Sequence, residues 1–445
     1  MKLRAGLKAN LKWLYPGLGI KRWLLLLAVG IVLISLGGAI LLINVVVPPS
    51  SVAAEHPVLT LLLPWVWPLL LVFLGLGLTA TALLKLNQSL LSPFLAPGQE
   101  KQVADLLYRH RQRDHGPRAV AVGGGTGLSS LLRGLKEYTV NIAAIVTVAD
   151  DGGSSGRLRQ ELGVLPPGDF RNCLAALADD EALLTQLFRY RFGQSAVDGH
   201  NFGNLFITAM SSITGDFERA LEESSRVLAV RGRILPSTLE NVTLCADLRG
   251  EAAALGGGRV VRGESQISKA GLPIERVFLQ PDRVRAYPGA VQAILAADLI
   301  VIGPGSLYTS VLPNLLVEDI AKAIRASRAV KVYVCNVAVQ PGETDGYDVA
   351  AHVAALERHV GPGLFDYVLA NDCFDMPLPS HLPREELVAL GPEAIQGYRL
   401  VAADLVDLTN PWRHDSRKLA AVVMELCKRS AGAPDRGVFR RDIGD

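Results

Sequence analysis

Between Arg118 and Arg157 the chain reads Arg-Ala-Val-Ala-Val-Gly-Gly-Gly-Thr-Gly, a stretch of helical spacing, and then Ala-Ile-Val-Thr-Val-Ala-Asp-Asp-Gly-Gly-Ser-Ser-Gly-Arg. This pattern admits few folds. Ala119 to Val122 is a short apolar run closed by glycine, as in a strand buried on both faces of a parallel sheet. Gly123, Gly124, Gly125 and Gly127 carry no Cβ, so the backbone there can turn sharply and bring its N–H groups up to an anion. The helix expected from Thr126 adds the positive end of its dipole at the same point. The unit is a βα anion cradle feeding a second strand.

A Walker loop would need a lysine where Leu128 and Ser129 follow Gly127, and a dinucleotide fingerprint would need a small residue at Leu128. Neither matches, which argues against a nicotinamide-dependent oxidoreductase. The second turn adds chemistry: Asp150 and Asp151 end the next apolar strand, where doubly wound folds place an acid that holds a ribose or a metal.

Five motifs occur in order: Gly123-Gly124-Gly125-Thr126-Gly127, Ala149-Asp150-Asp151-Gly152-Gly153-Ser154-Ser155-Gly156-Arg157-Leu158, Pro166-Pro167-Gly168-Asp169-Phe170-Arg171-Asn172, His200-Asn201-Phe202-Gly203-Asn204 and Gly303-Pro304-Gly305-Ser306-Leu307-Tyr308-Thr309-Ser310. Together they resemble the gluconeogenesis factor family of YvcK-type proteins, which are similar in turn to 2-phospho-L-lactate transferase (CofD-like). The resemblance spans about residues 117–430 and not the first hundred. It implies binding of UDP-sugars such as UDP-N-acetylglucosamine, and a role in cell shape and wall synthesis linked to carbon source.

The first 22 residues hold six lysines and arginines and no acid, and Leu24 to Val47 is then free of charge. That run is long enough to span a bilayer and longer than a signal-peptide core. A second apolar run covers Trp65 to Leu84, opened by Pro64-Trp65-Val66-Trp67-Pro68, with its prolines expected in a helix's first turn and its tryptophans at a membrane interface. The connection Pro48 to Leu63 has no lysine or arginine, whereas Lys85, Lys101, Arg109, Arg111 and Arg113 follow the second run. Under the positive-inside rule both termini and the globular part are cytoplasmic, in a multi-pass protein of the cell membrane. The expected divisions are a basic segment 1–22, a transmembrane hairpin 23–86, a linker 87–116 with a partly helical middle (Glu100 to Arg113), an α/β domain 117–430 and a mobile tail 431–445.

Asn172 to Phe192 and Gly203 to Val230 have helical spacing, which leaves Asp169, Arg171 and Asn172 on a loop after Pro166-Pro167-Gly168. There Arg171 is a candidate partner for phosphate, or for Asp169. His200 stands among glycines and amides before a helix, as a ligand contact or a cap. Residues 231–285 alternate β-like runs with turns (Arg233 to Pro236, Asn241 to Leu248, Arg259 to Ser265, Val277 to Gln280), and Gly256-Gly257-Gly258 reads as a hairpin turn, so this part is a small antiparallel insert. Ala297 to Ile302 then restores the parallel pattern. Gly303 to Ser310 follows as a second cradle, with Gly305 for close approach and Ser306 and Thr309 for hydroxyls. Strands ending at Asn336 and Asn371 place two amides at the same edge, and Gln340 to Tyr347 can fold over it. The fold expected is a doubly wound, mostly parallel, Rossmann-like α/β sheet with an antiparallel insert and an N-terminal transmembrane hairpin.

Two cradles at strand C-terminal ends suit a nucleotide diphosphate. One reading is a regulator that binds a UDP-sugar and needs no cofactor. The other, from the transferase resemblance, is transfer to an alcohol with Mg²⁺ and a nucleotide diphosphate donor, with Asp150 and Asp151 on the metal or the acceptor hydroxyl. Ligand-binding candidates are Gly123 to Gly127, Asp150, Asp151, Ser154, Ser155, Arg157, Asp169, Arg171, Asn172, His200, Asn201, Asn204, Gly303, Gly305, Ser306, Tyr308, Thr309 and Asn336. Net charge of +2 gives no reason to expect nucleic acid, five scattered cysteines make no zinc motif, and a homo-oligomer is expected.

Overall fold

The computed structural model describes residues 20–46, 57–91, 116–179, 181–193, 199–249, 259–375, 386–391 and 397–432. The chain divides into two compact units, Met1–Arg109 and His110–Asp445. The expected helix around Glu100 to Arg113, the turn at Gly256 to Gly258 and most of the tail lie outside the described residues.

The first unit holds two helices, α1 (Ile20–Val46) and α2 (Pro57–Leu91). Each contains a window long and apolar enough to cross a membrane, Lys21–Val46 and Trp65–Leu86. α2 starts earlier than the apolar run suggested, so Pro64 and Pro68 lie inside it rather than in its first turn. The helices run antiparallel and meet at glycines. A Cβ on Gly30 would sit 2.9 Å from the Gly75 carbonyl oxygen, and one on Gly37 would sit 2.7 Å from that of Pro68. Small residues at the crossing let the two helices touch along their backbones while leucine, valine and phenylalanine face outward.

The second unit is built on a seven-stranded, all-parallel sheet. Its strands are β1 (Ala119–Gly123), β2 (Ile142–Val146), β3 (Arg233–Pro236), β7 (Leu299–Ile302), β8 (Val330–Val334), β9 (Tyr367–Asn371) and β10 (Arg399–Ala403), in the order β10-β9-β8-β7-β1-β2-β3. Its central strands β1, β2 and β7 are buried along their whole length, which is why they read as unbroken apolar runs. The helices after β1 and β2 are α3 (Gly125–Leu135), α4 (Gly153–Leu162), α5 (Gly168–Leu177), α6 (Glu181–Arg189), α7 (Phe202–Thr214) and α8 (Phe217–Val227). The two long helices expected here are therefore four. α5 ends at Ala178, which turns extended, and α7 ends at Gly215 with φ +87, a left-handed stop that glycine favours.

The insert is a three-stranded antiparallel sheet, β5-β4-β6, from β4 (Thr243–Leu248), β5 (Arg259–Arg262) and β6 (Ile274–Gln280). Arg233 to Pro236 does not belong to it. It pairs parallel with β2, Ala143 opposite Arg233 through Val146 opposite Pro236, as the edge of the main sheet. A proline is tolerated there because an edge strand has one unpaired side. Helix α9 (Glu264–Ala270) takes up the end of the run expected as a strand. The chain continues through α10 (Pro288–Leu295), a π-turn at Leu307–Val311, α11 (Leu312–Leu315), α12 (Glu318–Ala326) and α13 (Val349–Val360). A hairpin of β11 (Val406–Asp407) and β12 (Asn410–His414) then leads into α14 (Ser416–Gly432), which packs on α3.

Strand order reverses between β1 and β7: β2 and β3 follow on one side, β8 to β10 on the other. In open α/β sheets the crevice at such a reversal, beyond the strand C-termini, receives the ligand. Asn314 of α11, fully buried, spans the reversal by donating from Nδ2 to the Gly123 carbonyl at 3.0 Å and the Ser310 carbonyl at 2.8 Å. Asn314→Ala should therefore destabilise the fold by about 1–3 kcal/mol, the usual scale for a buried polar partner. A shift of the urea midpoint to lower concentration at constant slope checks this; an unchanged midpoint contradicts it.

Candidate functional site

The two glycine loops follow β1 and β7, the two strands at the reversal, and they touch. A Cβ on Gly127 would lie 2.5 Å from the Pro304 carbonyl oxygen and 2.9 Å from the Gly305 Cα. A Cβ on Gly305 would meet the Gly124 carbonyl oxygen at 3.3 Å. Gly125 (φ +64), Gly303 (φ +82) and Gly305 (φ +157) hold conformations that other residues adopt only under strain. The backbones of both loops thus form one surface at the mouth of the crevice.

Above that surface is a cavity of about 520 Å³. Of the residues singled out in the sequence, Gly124, Gly125, Thr126, Gly127, Gly305, Ser306, Thr309 and Asn336 line it. Gln340 and Pro341, at the start of the loop expected to fold over the site, also line it. Gly123 and Gly303 lie behind the loops, in the hydrogen bonds of the strand ends. Tyr308 is not a wall residue: it is fully buried, with its hydroxyl 2.9 Å from that of Tyr347. Asn371 is spent within the fold, its amide bonding to Cys373 and to the Leu405 N–H. The Ser306 and Thr309 hydroxyls face a carboxylate of the protein itself. Ser306 Oγ donates to Glu343, Thr309 Oγ1 lies 3.4 Å from it, and Ser268 and Gln340 reach it at 3.0 Å.

The remaining candidates form a polar network beside the cavity. Asp169, Arg171 and Asn172 are on helix α5, not on a loop, because the turn of Pro166 and Pro167 passes directly into it at Gly168. Asp169 accepts the Gly125 N–H and so braces the first loop from behind. Arg171 donates to Asn204 at 3.2 Å and to Asn172 at 3.0 Å, rather than pairing with Asp169. Asn204 reaches the Ser154 hydroxyl at 3.0 Å and lies 3.5 Å from that of Ser155. His200, buried, has Nδ1 3.0 Å from Ser154 Oγ and does not cap α7. Asn201 is buried, with Oδ1 lacking a partner, and Arg157 is exposed on α4. Asp150 Oδ1 takes the Gly152 N–H and Asp151 Oδ1 takes the Ser265 N–H, both at 2.9 Å.

Asp150 also accepts the Ser155 hydroxyl, so its carboxylate is engaged twice within the fold. Among the described residues no group of three or more acid, histidine or cysteine side chains is set to hold a metal. Asp150 and Asp151 thus fit Mg²⁺ only as a pair completed by phosphate oxygens and water, the usual way that ion is held.

Several residues of the site escaped the sequence reading. Asn410, Trp412, Arg413 and His414 of β12 line the cavity, and Asn410 Oδ1 and Trp412 Nε1 are buried polar atoms without partners. Their only signal was an aromatic and a cation in a loop-like stretch. Glu264 lines it too, from the first turn of α9. Arg159 answers the aspartates, donating to Asn241 and lying 3.4 Å from the Asp150 carbonyl.

Residues 119–404 match the family described as 2-phospho-L-lactate transferase CofD. A gluconeogenesis factor of Bacillus subtilis is 48% identical over 70% of this chain and 98% of its own length. A relative from Nostoc of the same description is 49% identical over 93% of this chain and 92% of its own, so the likeness extends into the N-terminal helices. A solved Bacillus halodurans protein of the UPF0052 family is 46% identical and superposes with a TM-score of 0.63, covering 69% of this chain and 99% of that one.

The carboxylates along the cavity resist ionisation. Burial, reinforced by Asp150 and Asp151, raises Glu264 to about 8. Burial, with Asp150 beside it, raises Asp169 to about 6 despite the Gly125 N–H. Asp150 and Glu343 are also raised, burial leading in both. Glu264 holds its proton longer folded than unfolded, so native stability falls as pH climbs from the ordinary 4.5 through about 8. Glu264→Gln should therefore raise the melting temperature at pH 8 and leave it unchanged near pH 4. Equal gains at both pH values would show that this charge is not what is being relieved.

Proposed function

The chain belongs to the CofD family and, within it, to the gluconeogenesis factors, and from that premise we propose a membrane-anchored regulator that binds a nucleotide sugar of the UDP-N-acetylglucosamine type. The observation that carries this reading is the pair of touching glycine loops at the strand-order reversal. One loop holds one phosphate; two in backbone contact suit the adjacent phosphates of a diphosphate. The cavity of about 520 Å³ is within the range of small-ligand sites, about 300–1,000 Å³. Trp412 offers an aromatic face, Asn336 and Asn410 amides, and Arg413 a cation for the groups on either side of the diphosphate. In this reading occupancy of the site is the signal, and cell shape and wall synthesis follow carbon supply through it.

Catalysis is the alternative, favoured by the Asp150 and Asp151 pair beside the loops. There Mg²⁺ would neutralise charge on a departing nucleotide diphosphate, and Asp150 or Asp151 would hold it or orient the acceptor hydroxyl. Purified protein would then release UDP from the sugar nucleotide, and Asp150→Asn would lower turnover by about 10²–10⁴-fold while binding survived. A regulator shows no sustained release, and Asp150→Asn only shifts its affinity.

Two predictions test the main reading. UDP-N-acetylglucosamine should bind in calorimetry, and Gly125→Val and Gly305→Val should each weaken it by about tenfold or more, since a branched Cβ opposes positive φ and blocks approach. Unchanged affinity in both folded variants would refute the two-loop site. For the helices, α1 and α2 should cross the membrane with both ends inside, as the lysine and arginine asymmetry dictates. A protease added outside intact cells should leave the second unit whole; its removal would overturn that topology.

A further inference from the structure

A helix on the surface of a globular unit ordinarily turns charged and polar residues to solvent. Two neighbouring helices, α6 and α7, do not. α7 holds no charged residue along its length. Its Ala209 and Ile213 are exposed, Ile213 at 78%, and Phe202, Leu205, Phe206 and Met210 are only half-buried. These six follow one another at spacings that put them on one face. α6 lies beside it: the buried Phe188 ring meets those of Phe202 and Phe206 at 6.2 and 5.7 Å. Leu183 and Leu187 of α6 are exposed, and Tyr190 continues their side just past the helix end. Exposed Arg189 and Arg191 flank Tyr190, whose ring meets that of Phe192 edge-on at 5.3 Å. The acid of α6, Glu181, opens the helix at its other end. Soluble monomers rarely leave apolar surface of this extent to water, and where they do it marks an interaction site.

We propose that this face of α6 and α7 docks on a lipid bilayer that carries anionic headgroups. The leucine, isoleucine, phenylalanine and methionine side chains enter the boundary between headgroups and acyl chains, as the apolar side of an interfacial helix does. Arg189 and Arg191 are complementary in charge to the lipid phosphates. Arginine beside tyrosine and phenylalanine is the composition that settles at a membrane interface, with the ring in the apolar layer and the polar tip among headgroups. The inference rests on the membrane-anchored reading and deepens it. With α1 and α2 in the bilayer, the face and the lipid belong to one tethered system, so an affinity too weak to recruit a free protein is enough to hold this one. None of these residues lines the main cavity, so the surface is separate from the nucleotide-sugar site.

The test is fluorescence of the full chain in nanodiscs, with an environment-sensitive dye on Ala209→Cys in a Cys373→Ser background, the other four cysteines being buried. Discs are made of phosphatidylcholine alone or mixed with phosphatidylglycerol, each with and without spin-labelled lipid. Over phosphatidylglycerol the spin label should quench the dye about twofold or more, because the face sits within the headgroup layer, and over phosphatidylcholine alone far less. Arg189→Glu combined with Arg191→Glu, and separately Ile213→Asp, should return quenching to the phosphatidylcholine level. Circular dichroism reports the fold of each variant, and affinity for UDP-N-acetylglucosamine should stay within about twofold. No quenching over phosphatidylglycerol, or equal quenching in both lipids, overturns the docking. Blue-shifted emission without quenching identifies a second copy of the chain as what covers the face, and overturns it as well. A chain that does not enter the discs refutes the anchored reading alone; spin-labelled phosphatidylglycerol vesicles added to that chain then decide the docking by the same quenching.

Discussion

The contact between two glycine loops governs this structure. It exists because β1 and β7 lie side by side at the reversal of strand order, so the turns leaving them have nowhere to go but against each other. No side chain fits between them: a Cβ at Gly127 would stand 2.5 Å from the Pro304 carbonyl oxygen. Asn314 fixes the approach from below by binding the end of β1 and the start of the following helix with one amide group. Asp169 fixes it from behind through the Gly125 N–H. Removing side chains where the loops meet leaves a surface of backbone, and backbone N–H groups at a helix start attract anions.

Charge is sorted around that surface. Asp150, Asp151, Asp169, Glu264 and Glu343 act on one another across the side formed by α4, α5 and α9, and their mutual repulsion adds to burial in holding Glu264 up at about 8. Arg133, Arg189 and Arg413 stand along another side, with Arg171 between the two groups. Carboxylates and guanidinium groups thus stand on different sides of that surface, an asymmetry of the kind that orients charged ligands. The acid side also gives the second loop a carboxylate of its own: Glu343 takes the Ser306 hydroxyl and the Tyr308 N–H.

Much of this was legible because glycine, proline and buried β-runs have narrow meanings. Gly123 to Gly127 and Gly303 to Gly305 announced the loops, since few other sequences need so many residues without Cβ after an apolar strand. Pattern failed where tertiary context decides. Arg233 to Pro236 has the length of an insert strand, and only its pairing with β2 shows it to be the sheet's edge. Asp169 and Arg171 follow two prolines, which suggest a loop, yet a helix begins at Gly168 within that turn. Tyr308 sits in a polar motif but points into the core, which periodicity over so short a segment cannot reveal. Trp412 and Arg413 reach the cavity from a hairpin far along the chain, and no local signal ties residue 413 to residue 126.

The central claim, that both loops hold one diphosphate, is tested most directly by a crystal structure of the second unit soaked with UDP-N-acetylglucosamine. The account predicts the two phosphorus centres over the loops, with oxygens within hydrogen-bond distance of backbone N–H groups from both Gly124–Gly127 and Gly305–Thr309. A nucleotide sugar bound elsewhere on the unit, or with its diphosphate touching one loop alone, would contradict it.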